Sequence, residues 1–269
     1  MLTAALGLLA LLLALCAALL ALLWWGQERL LFHPTALPQS HRFDFGPEVH
    51  EVWVDVPGAR LHALHLQLPQ PRGIVFFLHG NAGNLQGWFG AAALYRQAGY
   101  DVFMPDYRGY GKSSGHIESE AQLHADVAAA WARVAPRYTG LRRVLVGQSV
   151  GTGLAAALAV QVQPELTLLV SPYFSLATLA QEKLQWLPGA LLRAVMRYPL
   201  RTDLSLPQLR GAVLMLHGAL DRLIPPDHSA RLQAMSPQAQ RVMLPDAGHN
   251  DIDQHPAYRQ AVLDALARR

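Results

Sequence analysis

Cysteine, lysine and early charge are scarce in this sequence. The one cysteine, Cys16, excludes an intrachain disulfide framework and a cysteine-built metal site. Only two lysines, Lys112 and Lys183, stand against 20 arginines, and with the abundant Ala and Leu this points to a GC-rich bacterial coding sequence. No charged side chain occurs from Met1 to Gln27. Over the whole chain, charged residues make up 15% against 52% apolar, which excludes a disordered protein, because such a chain buries enough surface to offset its ordering entropy. A net charge of +3 is too small and dispersed to suggest a nucleic-acid partner. No Gly-x-Gly-x-x-Gly turn with an acidic residue downstream is present, so no dinucleotide site is expected. The length of 269 residues suits one large domain or two small ones.

The uncharged start has a definite character. Leu2 to Trp25 is apolar except for Thr3 and Gly7. As a helix it would extend roughly 36 Å, enough to cross a bilayer core of about 30 Å with some tilt. Trp24 and Trp25 close it where indole rings prefer to sit. A cleaved signal peptide would want a positive start, a shorter core and a small-x-small cleavage site, and Ala14-Leu15-Cys16 is a poor one. The expectation is an uncleaved single-pass anchor over 1–27 in a bacterial inner membrane. The flanks mix Glu28, Arg29, Arg42 and Asp44, so the positive-inside rule has little to act on, with a slight lean toward a periplasmic catalytic domain.

After a linker over 28–48, two alternating stretches, Val49–Val56 and Leu61–Leu68, flank Pro57-Gly58 and read as an antiparallel hairpin. Gly73-Ile-Val-Phe-Phe-Leu-His79 is continuously apolar, which suits a strand buried on both faces of a parallel sheet. Similar runs recur at Tyr100–Met104, Arg143–Val146, Leu166–Val170, Ala212–Leu216 and Arg241–Leu244. Helical stretches alternate with them, at about 86–98, 118–134, 150–162, 227–235 and 253–268. This alternation predicts an α/β architecture, a mostly parallel doubly wound sheet with right-handed crossovers, over 49–269. The connection from Val170 to Ala212 is too long for a simple crossover. Its apolar residues predict a small helical cap at about 173–207, over the strand ends where α/β sheets bind ligands.

Gly147-Gln148-Ser149-Val150-Gly151 lies between a predicted strand and a predicted helix. A serine on that sharp turn is exposed, and the helix N-terminus favours developing negative charge beside it. Ser149 needs a base, and the base needs an orienting acid. His249, in Asp246-Ala-Gly-His-Asn-Asp251 after the last strand, is the candidate base. Asp221, in the loop after the preceding strand, is the candidate acid. Asp246, Asp251 and Asp253 are rivals but lie too close to His249 in sequence, and Asp251 or Asp253 would more naturally cap the last helix. Two oxyanion donors are expected: the N–H of Val150, and one from His79-Gly-Asn-Ala-Gly-Asn84, taken as the N–H of Asn81 with Ala82 as the fallback. His79 is expected to be structural, as are Asp106 and Arg108 in the next Gly-rich loop, with Asp126 a partner for Arg108. A metal cluster drawn through His249, Asp251 and His255 has no support from the predicted elements, so no metal is expected.

These segments together resemble the α/β-hydrolase superfamily. His79-Gly-Asn-Ala-Gly-Asn84, Asp106-Tyr-Arg-Gly-Tyr-Gly111, Gly147-Gln-Ser-Val-Gly-Thr152, His217-Gly-x-x-Asp221, Gly248-His-Asn250 and Leu31-Phe-His-Pro34 are similar to a branch of membrane-anchored serine hydrolases. That branch includes lysophospholipase-like lipid hydrolases and protein depalmitoylases. The resemblance implies that Ser149, Asp221 and His249 form a triad and that no cofactor is required. The expected activity is hydrolysis of carboxylic esters or thioesters of acyl or lipid-like substrates at a membrane lipid bilayer. A serine peptidase of the same fold is the second enzyme expectation, and a catalytically dead interaction module the third. Substrate and oligomeric state stay open at this level.

Overall fold

The computed structural model describes residues 2–268. The chain begins with one long helix, α1 (Leu2–Leu31), followed by a two-residue strand, β1 (His33–Pro34). The body then runs β2 (Val49–Val56), β3 (Ala59–Leu66), β4 (Gly73–Leu78), β5 (Ala82–Gly83), α2 (Leu85–Trp88), α3 (Ala92–Gln97) and β6 (Asp101–Pro105). It continues through α4 (Glu120–Val134), β7 (Arg142–Gln148), α5 (Gly151–Val162) and β8 (Leu166–Val170). Three short helices, α6 (Leu176–Lys183), α7 (Gly189–Val195) and α8 (Thr202–Ser205), precede β9 (Ala212–Gly218), α9 (Asp227–Met235), β10 (Gln240–Leu244) and α10 (Pro256–Ala267).

Eight strands form one sheet in the order β10-β9-β8-β7-β4-β6-β3-β2. The β2–β3 and β3–β6 pairs are antiparallel, and the other five are parallel. Alternate residues of the central strands face two separate cores. Ile74, Phe76, Leu78, Phe103 and Leu145 pack with Val127 and Leu154 of α4 and α5. Val75, Phe77, Val102 and Val144 pack with Tyr95 and Val262 on the other side. Burial on both faces is why these strands read as unbroken apolar runs. The register aligns the strand ends. Leu78 pairs with Gly147 and Gln148 with Val170, so the carboxyl ends of β4, β7 and β8 finish level with one another.

Several boundaries differ from the sequence expectation. The stretch at 86–98 is not one helix but α2, a 3₁₀ turn at Phe89–Ala91 and α3, with Gly87 and Gly90 interrupting it. The last helix starts at Pro256, a residue suited to the first helical position, rather than at Asp253. Helix α1 continues four residues into the expected linker, to Leu31. Its end is held by the body. Gln27 Nε2 donates to Val195 O (2.7 Å) and Gln27 Oε1 accepts from Arg197 N (2.8 Å). Tyr198 donates to Glu28 (2.7 Å), which also pairs with Arg197 (2.5 Å). Helix α1 is long and apolar enough to cross a membrane.

Candidate active site

Ser149 follows β7 directly and has φ +53°, in the left-handed region that a non-glycine residue rarely enters. Two glycines make the turn. A Cβ at Gly147 would lie 2.4 Å from Gly151 O, and one at Gly151 would lie 2.1 Å from Leu78 O. Helix α5 therefore starts almost in contact with the end of β4, closer than any side chain allows. The turn is pinned from several sides. Ser149 N donates to Val170 O (2.9 Å), Thr152 Oγ1 to Ser149 O (2.7 Å), and Tyr173 Oη to Val150 O (2.9 Å).

Asp221 comes from the loop after β9. Its Oδ1 accepts from the N–H groups of Leu223 (2.9 Å) and Ile224 (2.8 Å). Its Oδ2 lies 2.7 Å from His249 Nδ1 and 3.4 Å from His217 Nε2. Burial by itself would raise this carboxyl. Hydrogen bonds from His217, His249 and the Ile224 N–H, with the charge attraction of His249, outweigh burial and hold it well below the usual carboxylate range. A carboxylate at Nδ1 fixes the neutral imidazole with its proton there, leaving Nε2 as the acceptor. That atom lies 3.0 Å from Ser149 Oγ. The structure thus brings Ser149, His249 and Asp221 into one hydrogen-bonded row from three separate loops. Asp251 does not cap the last helix as expected; its Oδ1 accepts from Gly248 N (2.7 Å), bracing the loop that carries His249. Asp253 lines the cleft beside the row.

The expected donors are Val150 and Asn81. Val150 is the N-cap of α5, and Asn81 lines the same cleft as Ser149. Among the described residues, neither the Asn81 N–H nor the Val150 N–H donates a hydrogen bond within the protein. Behind the loop, His79 is fully buried and donates from Nδ1 to Gly80 O (2.7 Å). Arg108 makes a buried bidentate pair with Asp126 (2.5 and 2.9 Å), and neither is among the residues lining the cleft at Ser149.

The cleft at Ser149 encloses about 530 Å³. Trp88, Ala91 and Leu223 form its apolar wall, and Asn84, Asn250 and Asp253 its polar one. None of residues 173–207 is among those lining it. Those helices bond to the Asp221 loop, where Lys183 donates to Arg222 O (3.2 Å), and to neighbouring elements. Phe174 N bonds His228 Nδ1, Glu182 pairs with His228 and Arg231, and residues 195–198 hold the end of α1. Sequence reasoning missed Trp88 and Leu223 as cleft residues. Neither lies in a recognisable motif, so only the folded proximity of their loops reveals them. A larger groove of about 1460 Å³ opens at the opposite, amino-terminal end of the strands, away from this chemistry.

A mostly parallel sheet, a strained serine turn between strand and helix, and acid and histidine loops at the following strand ends define an α/β hydrolase. Residues 69–205 match the Hydrolase_4 family model, described as serine aminopeptidase, S33, and the chain belongs to that family. It is 31% identical over 254 residues to an uncharacterized protein of Mycobacterium tuberculosis, Rv2307c, covering 91% of this chain and 88% of the relative. It is 32% identical over 206 residues to alpha/beta hydrolase domain-containing protein 17C of Xenopus tropicalis, covering 74% and 63% of the two chains. Among solved structures, the esterase PF2001 of Pyrococcus furiosus superposes with a TM-score of 0.67 at 17% identity, over 88% of this chain and 97% of that one. At that identity the likeness concerns the fold alone.

Proposed function

We propose that this protein is a membrane-anchored serine hydrolase that cleaves carboxylic ester or thioester bonds of acyl substrates. One observation carries the reading: the row Ser149–His249–Asp221, with separations of 3.0 and 2.7 Å, at the edge of a cleft. Ser149 Oγ attacks the substrate carbonyl while His249 Nε2 takes its proton. The carbonyl oxygen becomes an oxyanion held by the N–H groups of Asn81 and Val150, the latter at the positive end of α5. The bond from carbonyl carbon to the leaving oxygen or sulfur breaks as His249 returns the proton to that atom. Water then attacks the acyl-enzyme by the same route, releasing the acid and restoring Ser149. Asp221 stays ionised and stabilises the imidazolium in both halves. The cycle draws on no cofactor.

The acyl preference is supported by the apolar wall of Trp88, Ala91 and Leu223 and by α1, which would hold the cleft near membrane lipid. The second reading is an aminopeptidase, favoured by the family description and by Asp253 in the cleft, a carboxylate suited to a peptide α-amine. A chain-length series of p-nitrophenyl esters run beside aminoacyl amides separates the two. The proposal expects ester turnover that rises with acyl length and is abolished by Ser149→Ala. Turnover confined to aminoacyl amides and lost in Asp253→Asn establishes the peptidase reading instead.

A further inference from the structure

The loop that would supply Asn81 is held in an unusual way. All four consecutive carbonyls from Gly80 to Gly83 accept hydrogen bonds. Gly80 O accepts from the His79 ring (2.7 Å), and Ala82 O from the Trp88 indole (2.7 Å). Asn81 O accepts twice, from the Tyr110 hydroxyl (2.7 Å) and from the backbone N–H of His33 (2.7 Å). Gly83 O accepts from Thr35 N (2.9 Å). In a trans peptide the N–H points opposite its carbonyl. Fixing these carbonyls therefore fixes the directions of the N–H groups of residues 81–84.

Two of those donors belong to the chain that leaves α1. Strand β1 pairs in parallel with β5, matching His33 to Ala82 and Pro34 to Gly83. The segment is tied in on its other side as well. Thr35 O accepts from Asn84 Nδ2 (2.8 Å) and from Gly111 N (3.1 Å), and Leu37 N donates to Gly111 O (2.7 Å). Residues 33–37 thus lie as a strap between the loop at 80–84 and the loop at 106–111. The anchor helix ends at Leu31, two residues before this strap.

We propose that Tyr110 and the strap at His33–Thr35 are positioning elements of the oxyanion site, so that transition-state stabilisation at Ser149 depends on the chain segment that ties the domain to its N-terminal helix. The proposal rests on Ser149 as nucleophile and on the loop at 80–82 as oxyanion donor: the Tyr110 and His33 bonds to Asn81 O fix the peptide that carries the Ala82 N–H, and through it the adjoining peptide, held at Gly80 O by His79, that carries the Asn81 N–H. A mobile peptide at 80–82 lets its N–H groups turn away from the developing oxyanion, while ground-state binding in the cleft is unaffected. The expected signature is therefore a fall in kcat with little change in KM.

The test uses the full-length protein in detergent, with Tyr110→Phe and His33→Pro, the latter removing the backbone donor to Asn81 O. Each variant is expected to lower kcat by about 10-fold or more and the pair by about 100-fold, approaching the loss of one oxyanion donor. KM should stay within about twofold. Affinity for an acyl trifluoromethyl ketone, which forms a tetrahedral adduct, should fall in step with kcat/KM. Tyr110→Phe keeps the ring and its packing, and so serves if His33→Pro does not fold. Wild-type kcat in Tyr110→Phe, or a loss confined to KM, overturns the positioning role while leaving the hydrolase reading intact. Wild-type protein that neither turns over ester nor labels at Ser149 with a fluorophosphonate overturns both.

Discussion

Single side chains set the electrical character of this molecule, and the candidate acid is the plainest case. Asp221 is buried, but the His217 and His249 rings and the Ile224 N–H hold its carboxyl below the ordinary range. The stability it adds is therefore present above its unfolded value near 3.9 and lost as pH falls below that. His65 behaves in the opposite sense from a paired histidine. Burial, then the charges of Arg137, His50 and Arg133, push it down to about 3. Its ring is bound to Tyr138 (2.6 Å), which donates in turn to Asp101 (2.5 Å). The unfolded chain takes up this proton near pH 6.5 and the native chain does not until about pH 3, so stability falls as pH drops through that window. The slope from His65 alone approaches about 1.4 kcal/mol per pH unit. Urea melts at pH 7 and pH 5 check this: His65→Gln should narrow the gap between the two midpoints, and an unchanged gap would contradict the assignment.

Elements were legible in the sequence to different degrees. The runs at 73–79, 143–146, 166–170 and 212–216 announced themselves because burial on both faces leaves no polar alternation to blur them. The serine turn was legible for a steric reason, since Gly147 and Gly151 sit where helix α5 meets β4. Gly151→Ala tests that contact directly. Its new Cβ would meet the Leu78 carbonyl at 2.1 Å, so backbone must move. The expected result is a loss of about 1–3 kcal/mol of stability in a denaturant titration, with a disproportionate loss of esterase activity as the turn shifts. What the sequence did not disclose are contacts made by backbone or by isolated residues. Strand β1 is two residues long, its partner β5 equally short, and such pairing leaves no periodicity to read. The same holds for Trp88 and Leu223 in the cleft, and for Asp251, whose side chain braces a loop instead of capping a helix.

On the scale of the whole molecule, the segment between β8 and β9 bonds to the N-terminal helix. It does not line the cleft; it carries Val195, Arg197 and Tyr198 to the end of α1. Apolar residues there pack against neighbouring helices, and composition alone does not distinguish that from a surface offered to substrate. The body is thus fixed to its N-terminal helix by side-chain and backbone bonds, and the chain leaving that helix runs straight behind the loop at 80–84. Under the proposed membrane anchoring, this attachment would present the cleft at a set height and angle to the bilayer.

The most direct test joins the chemistry to that placement. Membranes from cells expressing the full chain are washed with alkaline carbonate, treated with a fluorophosphonate, and the protein is digested and mapped by mass spectrometry. The predicted result is a single phosphonyl adduct on Ser149, recovered in the membrane pellet and absent from His249→Ala. An unmodified Ser149 in the wild-type protein, or an adduct on another residue, would contradict the central claim.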